Sequence, residues 1–255
     1  SSFNKRIKLI MAYTTVPKST AYFEPELYVG TGSSRTISTL NFQSDFTWIK
    51  NRGTTDRHSL FDAVRAAPNM LSSNNSDAQS AQASELTAFN TNGFTVNTAT
   101  SVNGSSANYV SWNWKAGTTS GIATDGTTTI TPTGYSFNQT SGFSIIKYTG
   151  NGVDGAYLPH GLGVSPKVMI VKRLVDTGWD WYVYHASMGN QNYIELNTTN
   201  GISSTSGLWY SYTPTSVNMK MSNDAQIGAS GKDYIMYCFA DVQGYSKMGG
   251  YVGNG

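Results

Sequence analysis

A five-residue motif recurs along the chain and sets its organisation. Tyr28-Val29-Gly30-Thr31-Gly32 returns as Tyr148-Thr149-Gly150-Asn151-Gly152 and again as Tyr251-Val252-Gly253-Asn254-Gly255. Behind the first two copies the same segments follow in the same order. Trp48-Ile49-Lys50-Asn51-Arg52 matches Ile170-Val171-Lys172-Arg173. Leu60-Phe61-Asp62-Ala63-Val64-Arg65 has a weaker counterpart in Val183-Tyr184-His185-Ala186-Ser187-Met188. Val102-Asn103-Gly104-Ser105-Ser106-Ala107-Asn108-Tyr109-Val110 matches Ile227-Gly228-Ala229-Ser230-Gly231-Lys232-Asp233-Tyr234-Ile235. Lys50 precedes Tyr109 by 59 residues and Lys172 precedes Tyr234 by 62. Matching segments at matching intervals imply one module copied head to tail. Each copy, roughly 100 to 120 residues, is long enough to close a core. The expected units are an N-terminal arm at 1–27, a first module at 28–147, a second at 148–247, and at 248–255 the start of a further module or a tail.

The segments inside each copy read as strands. Aromatic and β-branched residues mix at 46–50, 109–114, 143–148, 168–172, 181–185, 193–196, 217–221 and 234–239, and Gly, Asn, Asp and Ser clusters bound most of them. Many short strands with polar loops predict a sandwich or barrel. Residues 168–171 are apolar on both faces, as in a central strand covered on each side. Helical periodicity is scarce: residues 59–66 predict one short helix closed by Pro68, and 76–86 reads as a long loop with a helical turn. The glycines of the repeated motif suit a tight turn after a strand, where φ is positive. A phosphate-binding reading of them lacks a third Gly, a Lys-Ser/Thr pair and a following helix.

Composition removes several functions. With 17 Lys and Arg against 15 Asp and Glu, the net charge of +2 gives no field able to hold a nucleic-acid backbone. No apolar run approaches the length of a membrane-spanning helix. Lys5, Arg6 and Lys8 precede a short apolar patch, but no leader-like cleavage site follows, so an arm packing on its own domain or a neighbour is expected. One cysteine, Cys238, allows neither an internal disulfide nor a thiolate metal site. The 16 Tyr, 10 Phe and 6 Trp provide a sizeable core, and the 82 Ser, Thr and Asn residues suit an extracellular or virion β-protein.

At this level the chain resembles the repeated β-domains of tail-fibre and other virion structural proteins of tailed bacteriophages, notably those of marine and cyanobacterial hosts. The resemblance rests on Phe46-Thr47-Trp48-Ile49-Lys50-Asn51-Arg52, the segment from Leu60 to Arg65, Leu86-Thr87-Ala88-Phe89-Asn90-Thr91-Asn92-Gly93-Phe94 and Tyr109-Val110-Ser111-Trp112-Asn113-Trp114-Lys115-Ala116. It continues through the second Tyr-x-Gly-x-Gly copy, the segment from His160 to Arg173 and Trp181-Tyr182-Val183-Tyr184-His185-Ala186-Ser187. It implies an all-β fold of two tandem jelly-roll-like sandwiches, similar in pattern to concanavalin and laminin-G domains. It also implies a non-catalytic role in a tail fibre or tail appendage at the particle surface. Self-association follows from it, with trimers common in virion fibres. So does docking to other virion proteins through the arm, and contact with a host surface glycan or protein. A capsid decoration or head-fibre protein and a carbohydrate-binding lectin-like module are the alternatives.

Candidate chemistry is sparse. There is no Gly-x-Ser-x-Gly elbow. Cys238 falls inside an apolar strand, and His58, His160 and His185 share no metal-ligand spacing. Asp62, Glu85, Glu195 and Asp233 are the acids near strands, too scattered for a glycosidase pair. Asn223-Asp224 and Asn151-Gly152-Val153-Asp154 offer calcium-type oxygens but are ordinary turn formers. No cofactor or metal is therefore expected. Trp181 reads as core. Trp209, Tyr210 and Tyr212, in a Ser/Thr/Gly-rich loop, are the candidate surface contacts for a ligand.

Overall fold

The structure is a computed structural model and describes residues 13–205 and 207–254. The basic stretch at Lys5, Arg6 and Lys8, and Gly255 of the third motif copy, lie outside the described residues. The chain is all-β. The first half supplies β1 (Phe23–Val29), β2 (Arg35–Ile37), β3 (Phe46–Asn51), β4 (Ser59–Asp62), β5 (Asn69–Ser72), β6 (Ser80–Ala81), β7 (Leu86–Asn90), β8 (Gly93–Val96), a one-turn helix α1 (Thr100–Asn103) and β9 (Asn108–Trp114). The second supplies β10 (Gly134–Asn138), β11 (Phe143–Thr149), β12 (Ala156–Pro159), β13 (Val168–Arg173), β14 (Trp181–His185), β15 (Asn192–Glu195), β16 (Ser203–Ser204), β17 (Asn218–Met221) and β18 (Asp233–Phe239).

The described residues form four antiparallel sheets. One large sheet runs β1-β9-β3-β4-β5-β6; the other runs β10-β11-β18-β13-β14-β15-β16. Without β10 the two orders are the same, with β11, β18, β13, β14, β15 and β16 taking the places of β1, β9, β3, β4, β5 and β6. Each half also has a small sheet, β2-β8-β7 in the first and β12-β17 in the second.

Register carries the correspondence to single residues. Tyr28 faces Tyr109 and Tyr109 faces Asn51; Tyr148 faces Tyr234 and Tyr234 faces Arg173. The rings of Tyr28 and Tyr109 stack at 5.1 Å, those of Tyr148 and Tyr234 at 5.2 Å. The Tyr28 hydroxyl donates to Val102 O at 2.6 Å, the Tyr148 hydroxyl to Ile227 O at 2.7 Å. The motif glycines serve the same turn in both copies. Gly30 N–H donates to Ala107 O and Gly150 N–H to Lys232 O, both at 2.8 Å. Gly32 and Gly152 have φ of 69° and 68°, the left-handed region that glycine enters without a steric penalty.

Strand alternation divides the core into layers. In β3, Ile49 faces the first small sheet and packs with Phe61, Phe94, Val96 and Tyr109, while Phe46 and Trp48 face the opposite way. In the second half Met169, Val171, Tyr182, Tyr184 and Met236 pack against Leu158, Met219 and Met221 of the second small sheet. The remaining faces of the large sheets pack on each other. Phe46, Leu60 and Leu71 of the first half share a cluster with Phe143, Ile145, Trp181, Ile235 and Tyr237 of the second. Trp181 is core, its indole N–H donating to Ser72 O at 2.8 Å across this junction. Residues 168–171 are thus covered on both faces, as their unbroken apolar run predicts.

Three sequence expectations need correction. Residues 59–66 form no helix: Ser59–Asp62 is strand β4, because Leu60 and Phe61 are buried in cores on opposite faces of one sheet, which a strand can supply and a short helix cannot. Within 76–86, Ser80–Ala81 is the sheet-edge strand β6. The module limits also shift in strand terms. β1 starts at Phe23, inside the stretch expected as an arm, and β10 and the start of β11, placed in the first module by the sequence reading, pair within the second large sheet.

Candidate functional site

The titratable groups singled out in the sequence are mostly held within the fold. Asp62 is fully buried; its carboxylate accepts from Arg65 N–H at 2.8 Å, from the Arg65 guanidinium and from the Tyr237 hydroxyl at 2.7 Å. Arg65 is completed by Leu60 O, Asn69 O and the Gln79 side chain. This cluster joins the halves and leaves no free acid or base. Glu85 is paired with Arg57 and accepts from Ser101. Glu195 accepts from Thr198 and Asn200, and Asp233 from Thr149. His58 accepts from the Trp48 indole at 2.8 Å, and His185 accepts from Ser187 N–H. His160 is buried, with its Nδ1 accepting from Leu162 N–H and its Nε2 against Thr215 O at 3.1 Å; burial pushes its pKa down to about 4. Burial pushes the Cys238 thiol up to about 12, far from a reactive thiolate. Asn223 N–H reaches the Asp154 carboxylate at 3.4 Å, so the two loops considered for calcium meet there. Among the described residues no three His, Cys, Asp or Glu side chains converge as a metal site.

A cleft of about 610 Å³ lies where the halves meet, lined among others by Asp45, Val64, Lys115, Tyr135 and Ser136. Asp45 accepts from Ala116 N–H at 2.8 Å, and burial raises its pKa. The cleft lining contains a single acid, Asp45, and a single cation, Lys115; the Ser136 hydroxyl hydrogen-bonds the Asp45 carboxylate and accepts from Gly117 N–H at 2.8 Å.

The aromatic loop gives a different outcome for each residue named from the sequence. Trp209, expected at the surface, is fully buried: its indole donates to Asn192 O at 3.2 Å and its ring meets Tyr184 edge-on. It anchors the loop together with buried Leu208, and Tyr210 is presented outward. Tyr210 is 40 % exposed and Tyr212 half-buried. Asn190 holds the loop between them through Ser211 O and the Thr213 hydroxyl.

Two residues missed in the sequence complete this surface. β12 and β17 pair Tyr157 with Lys220. Ala156, Leu158, Met219 and Met221 point into the core, so alternation turns Tyr157 and Lys220 outward. The Lys220 ammonium sits 4.9 Å from the Tyr157 ring centre, 5.0 Å from that of Tyr210 and 5.2 Å from that of Tyr212. Tyr157 and Tyr212 meet edge to face at 5.7 Å. Gly155 makes room for this arrangement, since a Cβ there would lie 3.0 Å from the Tyr210 ring. The available signal was a polar or amphipathic residue between two apolar ones in short strands, Ala-Tyr-Leu and Met-Lys-Met.

The chain belongs to the DUF7483 family, described as a domain of unknown function, whose model matches residues 18–255. Neither a curated protein nor a solved structure matches it. The DUF7483 match spans the strands of both large sheets and both small ones.

Proposed function

We infer that this DUF7483 chain is a non-catalytic structural segment of a bacteriophage virion, in a tail fibre or tail appendage that supports host attachment. In this reading it is built from two tandem jelly-roll-like sandwiches and works as a homo-oligomer. The observation that carries it is the duplicated strand order closed by a shared aromatic core, with the buried Asp62–Arg65–Tyr237 cluster bridging the halves. Such a unit is a stiff spacer, and its buried Asp62 and Arg65 are committed to holding it together. The sequence resemblance supplies the biological setting, and the polar, Ser/Thr/Asn-rich loops suit a particle surface.

The test is to raise an antibody against the purified chain and image gold-labelled particles of the phage that encodes it. Label on tail fibres or tail appendages is expected. Label on the capsid shell selects the decoration or head-fibre role instead, and particles that carry no label reject the virion reading. Light scattering of the purified chain tests the oligomer: a monomer at all concentrations removes self-association from the proposal.

A further inference from the structure

The two halves allow the surface around Lys220 to be separated from what the fold requires. By register, the pair Tyr157–Lys220 in the second small sheet takes the place of Thr36–Thr95 in the first. There the two threonine hydroxyls hydrogen-bond each other at 2.9 Å. The same sheet therefore closes with two small polar residues. Three tyrosines and a lysine are an addition to one copy, and the loop bearing Tyr210 and Tyr212 precedes β17 where β7 precedes β8 in the other.

The chemistry of the addition is specific. Lys220 makes no hydrogen bond or ion pair among the described residues, so all three N–H donors are uncommitted. The three phenol hydroxyls around it likewise have no hydrogen-bond partner among the described residues. An aromatic cage commonly holds a ligand cation, but here the cage already contains one, and a second positive charge would be repelled. What the surface offers is a fixed positive charge with free donors, beside flat apolar ring faces and phenolic hydroxyls. A ligand that uses all of these has an apolar face to lie on a ring, hydroxyls to exchange hydrogen bonds, and a negative group for the ammonium.

The geometry points to an acidic saccharide, a pyranose bearing a carboxylate, bound on Tyr157, Tyr210, Tyr212 and Lys220. The sugar stacks on the exposed Tyr210 ring and its carboxylate pairs with Lys220. The site adds a binding activity to the second half alone and holds whether or not the chain belongs to a virion.

The experiment titrates the full chain with a tetrasaccharide of galacturonic acid and, in parallel, with its methyl ester, which keeps the ring and removes the charge. Binding is followed by calorimetry or by the NMR signals of the tyrosine rings. The acid is expected to bind about tenfold or more tightly than the ester, with the difference shrinking as salt rises. Lys220→Ala should abolish the preference for the acid, and Tyr210→Ala should weaken both ligands. Thr36→Ala, at the corresponding place in the first half, should change neither. Lys220 and Tyr210 lie outside the core, and an unchanged melting temperature shows that loss of binding is not loss of fold. Equal affinity for acid and ester, no binding of either at millimolar concentration, or full binding by Lys220→Ala would each overturn the site. So would a change of oligomeric state in Lys220→Ala or Tyr210→Ala, which would identify the surface as a contact between copies.

Discussion

The halves share a strand order but fill it differently. Where the second large sheet turns Met169, Met236 and Cys238 toward its small sheet, the first has Thr47, Ser111 and Asn113 at the matching register. Those polar residues satisfy one another: Thr47 donates to Asn113, and Asn113 donates to Ser111 and to Glu24 O. The outer edges differ too. β11 is covered by β10, whereas among the described residues β1 has no further strand beside it in its sheet. There Pro25 withholds an N–H, and Arg35 binds Val29 O at 2.6 Å. Both are ways of keeping an edge from recruiting a further strand. The lesson is that topology is set by a few repeated positions, the tyrosine pair and the glycine turn, while the remaining core tolerates either apolar packing or a closed polar network.

The largest departure from symmetry is the buried ion pair. Asp62 and Arg65 correspond to His185 and Met188, the first by register and the second by the sequence repeat. Asp62→Ala leaves the Arg65 guanidinium buried without its counter-ion and should cost about 3–5 kcal/mol in urea unfolding. The double change Asp62→Ala with Arg65→Met removes both charges and should recover more than half of that loss. A single-variant cost under about 1 kcal/mol would mean that the junction is held by the aromatic cluster alone.

A second asymmetry is visible in acid. His160 lies in the turn after β12, and the turn after β2 has no histidine. The folded pKa of His160 is about 4 against an ordinary 6.5, because burial disfavours the charged ring. Protonation would also occupy Nδ1, which accepts from Leu162 N–H. Between pH 6.5 and 4 the unfolded chain binds a proton that the folded chain does not, so stability falls as pH falls through this window and levels off below it. The full effect is about 3 kcal/mol. His160→Gln should flatten the stability–pH curve by about that amount relative to the parent, measured by denaturant melts from pH 7 to 3.5. Parallel curves for the two proteins would remove His160 as the cause.

Much of this architecture is legible in the sequence because the repeat fixes register. The matches of Lys50 with Lys172, Leu60 with Val183 and Tyr109 with Tyr234 coincide with the strand pairing residue by residue. What sequence periodicity cannot supply is which face meets which. Leu60-Phe61 followed by Val64 reads as a helical stripe until two separate cores are known to lie on either side of β4. The loop aromatics carry the same ambiguity. Trp209 and Tyr210 are adjacent and chemically alike, yet one is the anchor and the other the exposed ring, since a turn at 207–210 sends them to opposite sides. Tyr157 and Lys220 are 63 residues apart in the chain, and only strand pairing unites them.

The glycine turns test how far the symmetry extends. A Cβ on Gly30 would lie 2.1 Å from Gly104 O, and one on Gly150 would lie 2.4 Å from Ala229 O. Both obstacles are backbone and cannot swing aside. Gly30→Ala and Gly150→Ala should each lower stability by roughly 1–3 kcal/mol, and by similar amounts. A tolerated substitution in one half only would show that this half can open its turn.

The finest comparison is the pair of tyrosine hydroxyls. Tyr28→Phe and Tyr148→Phe keep the stacked rings and remove one hydrogen bond each, to Val102 O and to Ile227 O. Each should cost about 1 kcal/mol. The environments are not identical: Tyr28 retains 8 % exposure and Tyr148 none. Water can replace the lost donor more readily beside Tyr28, so the loss at Tyr148 should be the greater by a few tenths of about 1 kcal/mol. Denaturant melts of both variants, run beside the double variant, measure this difference and its additivity. The two rings lie in separate small-sheet clusters, so the double loss should equal the sum of the single losses. A double loss well away from that sum would mean that the junction transmits strain from one copy to the other, and that the halves respond as one body.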